Sequence, residues 1–190
     1  MDKPSGARTC LYTPPQLDIV FDDMARRAAG LFTGRSPITV IGILRRGAPL
    51  ADRLTQRMVG RYGVSPPRRL DLRVKRYADD LTLLHPETEL SVEAADLEAF
   101  SALAGHNLLV VDDVLYSGHS LLRVVDFLAR HNPAEIRVAV LVDRGVTCLP
   151  VHADVIGVHL QVAAPDIVEC NVPPYEPEFK IELLQPTSRD

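Results

Sequence analysis

Near the middle of the chain the sequence reads Leu108-Leu109-Val110-Val111-Asp112-Asp113-Val114-Leu115-Tyr116-Ser117-Gly118-His119-Ser120, and this stretch decides the fold. The apolar run over 108–111 is typical of a buried strand, and the amphipathic pattern over 121–130 predicts a helix. A strand, a glycine-containing turn and a helix in this order are typical of a parallel α/β sheet. Ligands of such sheets bind beyond the carboxyl ends of the strands. The stretch therefore predicts both the fold class and the place of a binding site.

The polar side chains of this stretch suit a phosphorylated sugar. The adjacent carboxylates of Asp112 and Asp113 repel each other unless donors, cations or water lie beside them, and ribose hydroxyls and a magnesium ion would supply such partners. The turn over 117–120 would present backbone N–H groups at a helix N-terminus, which favours a phosphate dianion. The simpler interpretation is a strand followed by a helix that Ser120 caps, with no ligand. The paired acids favour the ligand.

Length and composition indicate one domain with a sizeable core. The 190 residues are too few for two comfortable domains, so we expect a single domain over 1–190 with its core at about 15–157. No apolar stretch approaches the length of a membrane span, and the first residues lack the apolar region of a signal peptide. We therefore expect a cytoplasmic protein without a membrane partner.

Charge is spread unevenly along the chain. The formal net charge is −4, yet residues 1–80 hold 15 basic and 8 acidic side chains, whereas residues 81–190 hold 6 and 17. The amino-terminal half is therefore expected to face an anion. A polyphosphate and RNA both fit, and charge alone does not choose between them.

The hydrophobic pattern alternates helices and strands. Helices are predicted over 15–31, 48–59, 92–102 and 121–130, and strands over 38–44, 70–74, 108–111 and 136–142. This alternation predicts a mostly parallel central sheet flanked by helices. The proline-rich remainder has short β segments near 155–158, 167–170 and 179–184. Residues 158–190 and the N-terminal segment are expected to form a small hood.

A second anion site is predicted at Ile41-Gly42-Ile43-Leu44-Arg45-Arg46-Gly47, where the first strand should end. Two guanidiniums between glycines can donate bidentate hydrogen bonds to a phosphate. A P-loop is excluded, because Ala48-Pro49 replaces the Lys-Ser/Thr pair that it requires. The alternative is a solvated turn before a helix. Because this turn and the acidic loop after 108–111 should lie at the same edge of the sheet, a pyrophosphate site is favoured over a solvated turn.

A third candidate is the segment Arg73-Val74-Lys75-Arg76-Tyr77-Ala78-Asp79-Asp80. It is predicted to begin as a strand and to continue as a charged loop over 75–89. Such a loop is long enough to fold over a crevice and exclude water from a reactive cation. An ordinary surface loop is the alternative.

The cysteines Cys10, Cys148 and Cys170 show no spacing typical of a disulfide or a zinc site. Nothing near Cys148 along the chain marks an activating base. A buried or incidental thiol is therefore favoured over a nucleophile.

The stretch 111–120 resembles the phosphoribosyl-pyrophosphate (PRPP) loop of the type I phosphoribosyltransferases. The likeness becomes more specific when three further stretches are included. These are the glycine–arginine stretch over 42–47, Leu141-Val142-Asp143-Arg144-Gly145 and Leu149-Pro150. The chain then resembles the pyrimidine operon attenuator proteins that double as uracil phosphoribosyltransferases. The likeness runs from about residue 8 to residue 157.

The resemblance implies the type I phosphoribosyltransferase fold and a magnesium-dependent reaction. The 5-phosphoribosyl group of PRPP would pass to a nucleobase, most closely uracil, giving UMP and pyrophosphate. A base nitrogen would attack the anomeric carbon through a state with oxocarbenium character. Carboxylates would stabilise that cation, while arginines and magnesium would stabilise the leaving anion, so no covalent nucleophile is needed. The relatives also imply a homo-oligomer, a dimer or larger.

The resemblance further implies which residues hold each part of the substrate. The ribose hydroxyls would lie on Asp112 and Asp113, which would reach the metal only through water or those hydroxyls, and Arg76 would be a further catalytic residue. The residues implied for the 5-phosphate are Val114, Leu115, Tyr116, Ser117, Gly118, His119 and Ser120. The residues implied for pyrophosphate are Leu44, Arg45, Arg46, Gly47 and Lys75. The base would border Asp143 and Arg144. Whether Lys75 or Arg76 closes over the substrate stays open.

The chain departs from the family pattern at several basic positions. His119 stands where the family usually has Arg, so one phosphate donor is expected to be weaker. Val146, Thr147, His152 and Val158 stand where the family's RNA-binding face carries basic side chains. Phosphate-directed cations dominate affinity for RNA. The sequence therefore predicts catalysis without binding of attenuator RNA.

Three alternatives stay open. An RNA-binding regulator is one, because Arg53, Arg57 and Arg61 would form a basic stripe along the second helix, although most such stripes are solvated faces. A transferase for another base is the second: the carboxylate of Asp143 suits a base with N–H donors and hints at a pyrimidine, but it could simply pair with Arg144. The third is a non-catalytic sensor of PRPP or a nucleotide.

Overall fold

A computed structural model describes residues 6–74, 90–91 and 94–187, and the side chains within them except those of residues 74, 90–91 and 94–97. The helices are α1 (Pro14–Leu31), α2 (Gly47–Tyr62), α3 (Ala94–Ser101) and α4 (His119–Ala129). The strands are β1 (Gly6–Tyr12), β2 (Ile38–Leu44), β3 (Arg68–Val74), β4 (Leu90–Ser91), β5 (Asn107–Leu115), β6 (Glu135–Asp143), β7 (Val155–His159), β8 (Ile167–Asn171) and β9 (Lys180–Pro186).

The larger sheet has the strand order β4-β3-β2-β5-β6-β7. Its strands β3, β2, β5, β6 and β7 run parallel, and β4 pairs antiparallel with β3 at one edge. Residues 38–43 of β2 and 107–111 of β5 are buried, because strands at the centre of a parallel sheet are covered on both faces. The predicted α/β fold with a mostly parallel central sheet is confirmed.

Helices cover the two faces of this sheet. On one face α1 and α2 contribute the buried stripe of Leu17, Phe21, Met24, Leu50 and Leu54. On the other face α4, the end of α3 and the turn after it contribute Phe100, Leu103, Leu121, Val124 and Leu128. The apolar spacing in each helix follows the period of an amphipathic helix, so each buries one stripe against the sheet. Among the described helices, none is long and apolar enough to cross a lipid bilayer.

The smaller sheet is antiparallel, with the order β1-β9-β8, and is built from both ends of the described chain. Gly6 pairs with Pro186, and Ile167 with Leu184. The ring of Phe179 packs edge-on against Phe21 of α1, with 5.4 Å between the ring centroids. This sheet is the predicted hood. The β segment predicted near 155–158 does not join it, because β7 pairs with β6 in the central sheet.

Several element boundaries differ from the sequence-based prediction. The strand predicted over 108–111 continues to Leu115, because its backbone stays paired with β6 as far as the register of Leu115 with Asp143. The helix that follows begins at His119, with Gly118 as its N-cap, so the alternative in which Ser120 caps the helix was wrong. The helix after β2 runs from Gly47 to Tyr62 rather than over 48–59. Gly63, in a left-handed backbone conformation, is its C-cap residue.

Candidate functional site

The predicted site residues meet at the carboxyl edge of the central sheet. The N-terminus of α2 lies directly on β5: a Cβ atom at Gly47 would lie 2.4 Å from the carbonyl oxygen of Val111. Only a residue without a side chain allows this approach. The loop after β2 is thereby held beside the acidic end of β5, so the two loops predicted for pyrophosphate and for ribose are neighbours.

The two aspartates at the end of β5 differ in environment. Asp113 is only 3% exposed, and one oxygen, Oδ2, lies 3.9 Å from Nη1 of Arg46. Its other oxygen, Oδ1, accepts a hydrogen bond from the N–H of Val114 at 3.0 Å. Asp112 is half-buried, and its Oδ1 accepts the N–H of Asp113 at 2.9 Å. Consecutive strand residues point to opposite faces, so Asp112 is the more accessible of the two carboxylates.

Arg46 bridges the end of β5 and the hood. Its Nη2 and Nε donate to the two carboxylate oxygens of Glu176, at 2.5 and 3.2 Å. The hydrogen bond that Arg46 donates to Glu176 raises the pKa of Arg46 above its ordinary value; burial opposes this, and the charge of Asp113 adds to it. The second oxygen of Glu176 also accepts the N–H of Val172 at 2.9 Å. Arg46 is therefore a fixed cation between two acids.

Arg45 has a different position from its neighbour. It is exposed, and its guanidinium carbon lies 5.3 Å from the centroid of the Tyr175 ring, which corresponds to a cation–π contact. Tyr175 and Glu176 were missed by the sequence analysis. In the sequence these two are simply an aromatic residue and an acid in a proline-rich tail. Their spacing does not relate them to the loop near residue 45.

The turn between β5 and α4 has the geometry expected of an anion site. Gly118 has a φ of 90°, and a Cβ atom there would lie 2.6 Å from Cγ2 of Val151. The first backbone N–H groups of a helix have no partner within the helix, and they point toward this turn. The imidazole Nδ1 of His119 lies 3.0 Å from the hydroxyl oxygen of Ser117. The turn thus combines amide donors, a hydroxyl and an exposed histidine.

Cys148 lies against the same turn. Its N–H donates to the carbonyl oxygen of Ser117 at 3.1 Å, and its Sγ lies 4.0 Å from Nδ1 of His119. Cys10 and Cys148 are exposed free thiols, and Cys170 is a buried one. The sequence had marked no base near Cys148. The fold provides a nearby imidazole from a segment 29 residues earlier.

Asp143 and Arg144 follow β6 and have separate partners. The Oδ1 of Asp143 accepts the N–H of Gly145 at 2.8 Å, and its Oδ2 lies 3.8 Å from Nδ1 of His159. The guanidinium carbon of Arg144 lies 4.8 Å from the ring centroid of Tyr116. These contacts replace the Asp143–Arg144 pair that was considered from the sequence. Arg144 therefore contacts the turn between β5 and α4 from the side of β6.

Two predicted site residues, Lys75 and Arg76, and the loop over 75–89 lie outside the described residues. Within the described part of the chain, no group of three or more His, Cys, Asp or Glu side chains could hold a metal by itself. A magnesium ion that arrives with a polyphosphate takes most ligands from substrate and water, and the half-buried carboxylate of Asp112 fits as an acceptor for such water or for ribose hydroxyls.

The arginine stripe of α2 is engaged within the protein. Arg57 and Arg61 pair with Asp18 and Asp22 of α1, and the guanidinium of Arg53 lies 4.7 Å from the ring centroid of Phe179. The acids of α1 have the same four-residue spacing as the arginines, which is a sequence signal for two helices paired side by side.

Fold and loop arrangement together are those of a phosphoribosyltransferase. The model of the phosphoribosyl transferase domain family matches residues 13–178, and the chain belongs to this family. Within the family it is a PyrR-like type I phosphoribosyltransferase. It is 31% identical to the bifunctional protein PyrR of Deinococcus radiodurans, over 92% of this chain and 97% of that protein. It is 29% identical to that of Pasteurella multocida, over 79% and 82%.

Solved structures show the same fold. The chain is similar to the hypoxanthine phosphoribosyltransferase of Trypanosoma cruzi, with a TM-score of 0.73 and 19% identity over 97% of this chain and 95% of that chain. A structure of that enzyme with the product IMP gives a TM-score of 0.72 at 17% identity, over 98% and 94%.

Proposed function

We propose that this protein transfers the 5-phosphoribosyl group of PRPP to uracil and releases pyrophosphate. The observation that carries the proposal is the approach of Arg46 to Asp113, 3.9 Å apart, where the loop after β2 meets the end of β5. Ribose and pyrophosphate are joined in PRPP, so a site for it requires an acidic strand end and a cationic loop side by side. The bifunctional PyrR relatives support the same assignment.

The proposed chemistry is electrostatic and positional. The turn over 117–120 would hold the 5-phosphate with helix N–H groups, and Asp112 would orient the ribose hydroxyls. As the bond from the anomeric carbon to pyrophosphate breaks and the base nitrogen bonds to that carbon, the carboxylates stabilise the positive charge on the ribose. Magnesium bound to PRPP would neutralise charge on the departing pyrophosphate. Arg45 would add a cation on the same side.

Uracil is compatible with the acidic group at the end of β6, which the resemblance places beside the base. Asp143 lies at the end of β6, and a carboxylate accepts hydrogen bonds only, so it suits a base edge that presents N–H donors. The fold similarity to a hypoxanthine enzyme does not weigh against this, because at 19% identity it concerns the architecture alone.

The test is release of pyrophosphate from PRPP and magnesium with a panel of uracil, hypoxanthine, guanine and adenine. We expect turnover with uracil. Asp112→Asn should lower kcat by about a hundredfold, since it removes charge that acts only on the transition state. Turnover with a purine alone would overturn the choice of base. PRPP binding without turnover on any base would favour a sensor.

We also propose that the protein does not bind attenuator RNA. Val146 and Thr147 are exposed and uncharged, and Arg57 and Arg61 are paired with acids of α1, so these four positions offer little free positive charge to phosphates. A gel shift with a pyrimidine-operon leader RNA tests this. Tight binding that weakens steeply with added salt would contradict the proposal and support the regulator.

The remaining parts of the proposal concern the domain organisation, the metal requirement, the assembly and the cellular location. Residues 1–190 would form one phosphoribosyltransferase domain, the reaction would require magnesium, and the protein would be a cytoplasmic homodimer or larger homo-oligomer. Sedimentation measurements test the assembly, chelation of magnesium tests the metal requirement, and cell fractionation tests the location.

A further inference from the structure

The turn between β8 and β9 carries two adjacent residues that contact both arginines of the loop after β2. Tyr175 lies beneath the exposed guanidinium of Arg45, at 5.3 Å from its ring centroid. Glu176 receives both donated bonds from Arg46. This turn belongs to the hood, so one short segment of the hood orients the complete cationic loop.

Burial makes the Glu176–Arg46 contact more than a surface ion pair. Glu176 is 9% exposed and accepts three hydrogen bonds, two from Arg46 and one from the N–H of Val172. A buried carboxylate is tolerated only when such donors satisfy it. The Arg46 side chain is 31% exposed and lies between the carboxylates of Glu176 and Asp113. Its guanidinium is therefore already committed to protein acids.

Arg45 and Arg46 thus have different chemical roles available to them. The N–H donors of Arg45 stay available, because the residue is exposed and a cation–π contact with Tyr175 pairs them with no acid. An anion that approached Arg46 would have to displace an acid that is itself buried, which is unfavourable. An anion that approached Arg45 would displace water.

We propose that Glu176 is a positioning residue that holds Arg46 as a fixed link between the hood and Asp113, and that Arg45 is the guanidinium that binds the pyrophosphate of PRPP. This inference rests on the proposed transferase function. Two adjacent residues of one motif then have different roles: Arg46 is a structural link and Arg45 is an anion ligand. The hood then determines the geometry of the acidic strand end through Arg46.

The test is calorimetric titration of magnesium pyrophosphate and of magnesium PRPP, which needs no turnover. Arg45→Met should weaken binding of both by about tenfold or more, with the melting temperature close to that of the unchanged protein. Arg45→Lys should recover part of the affinity, because charge remains while the bidentate geometry is lost.

A second set of variants tests the contact between Glu176 and Arg46. Glu176→Gln and Arg46→Met should each lower the melting temperature and weaken PRPP binding by a smaller factor than Arg45→Met does. The double variant should lose little more than either single one, because both remove the same contact. Glu178→Gln is the matched control: Glu178 lies two residues further on the same turn, is exposed and pairs with Lys180, so binding should not change.

Two outcomes would overturn the inference. One is a larger loss of pyrophosphate affinity from Arg46→Met than from Arg45→Met at an unchanged melting temperature, since Arg46 would then be the anion ligand. The other is additivity of Glu176→Gln and Arg46→Met in both affinity and melting temperature. Failure of the proposed function looks different: the unchanged protein would bind neither PRPP nor pyrophosphate, while the melting temperatures would still report whether Glu176 and Arg46 are coupled.

Discussion

The thiol of Cys148 and the imidazole of His119 lie 4.0 Å apart at the turn proposed for the 5-phosphate of PRPP. A phosphate on this turn would lie against His119 and cover the sulfur atom. Bound magnesium PRPP is therefore expected to slow alkylation of Cys148 by iodoacetamide by about tenfold, as expected when a nearly saturating ligand blocks access.

Mass spectrometry of the alkylated peptides measures this directly. Cys10 serves as the internal control, because it is exposed in β1 and should react equally with and without ligand. Cys170 is buried and should stay unmodified in the folded protein. Equal protection of Cys10 and Cys148 would indicate a general effect of the ligand and contradict the placement of the phosphate.

Gly118→Ala should be damaging for two reasons, whereas Gly105→Ala should be damaging for one. Both glycines have positive φ, 90° and 75°, so each substitution carries a conformational cost of about 1–2 kcal/mol. At Gly118 the new Cβ would also meet Val151 at 2.6 Å, whereas at Gly105 nothing lies within 4 Å. We expect Gly118→Ala to lower the melting temperature more and to weaken PRPP binding.

Thermal unfolding and PRPP titration of both variants separate these effects. Gly105→Ala should keep the PRPP affinity of the unchanged protein, because Gly105 lies before β5 and away from the turn. A normal PRPP affinity in Gly118→Ala would mean that the phosphate lies elsewhere.

Two glycines of α2 should respond in opposite directions to alanine. Gly60 has nothing within 4 Å of a new Cβ and is exposed, so Gly60→Ala should stabilise the protein by about 0.5–1 kcal/mol through helix propensity. Gly47→Ala would overlap the backbone of β5, with 2.4 Å to the Val111 oxygen, and should destabilise it by about 1–3 kcal/mol. Urea unfolding measures both. Stabilisation by Gly47→Ala would contradict the direct packing of α2 on β5.

Stability should fall at acid pH in part through Asp23. Hydrogen bonding to Arg26 holds the pKa of this carboxyl below its ordinary value of 3.8, the charge of Arg27 adds to this, and desolvation opposes it. A carboxylate with a lowered pKa stabilises the folded state above its unfolded-state pKa and loses that contribution as the pH falls through the folded-state value. The pairs are solvent-exposed, so Asp23→Asn should cost less than about 1 kcal/mol at neutral pH.

Urea unfolding of Asp23→Asn and the unchanged protein at neutral pH and near pH 2 tests the assignment. The difference between the two free energies of unfolding should shrink as the pH falls through the folded-state pKa of Asp23. A difference that persists there would arise from packing and not from charge.

Much of the architecture could be predicted because it is locally encoded. The apolar runs of β2, β5 and β6 and the helical periods between them each lie within one continuous stretch, and their alternation indicates a parallel sheet. The adjacent acids and Gly118 are recognisable for the same reason, since strand, turn and helix follow one another directly. The place of the candidate site follows from topology, because parallel strands bring their carboxyl ends to one edge.

What could not be predicted depends on contacts between distant segments. Glu176 lies 130 residues from Arg46, and no period in the sequence relates them. The burial of Asp113 likewise requires the hood and the loop after β2 to be in place. The partners of Arg57 and Arg61 could not be found from α2 alone, although the acids of α1 carry the matching spacing.

Pairing of Gly6 with Pro186 puts the two ends of the described chain on adjacent strands, roughly 5 Å apart in the direction of the hydrogen bonds. A short peptide linker could join them, and the polypeptide could then be opened at Asn132, in the surface connection that leads from α4 to β6. Such a circular permutant would keep every residue of the proposed site while joining two adjacent strands of the hood covalently.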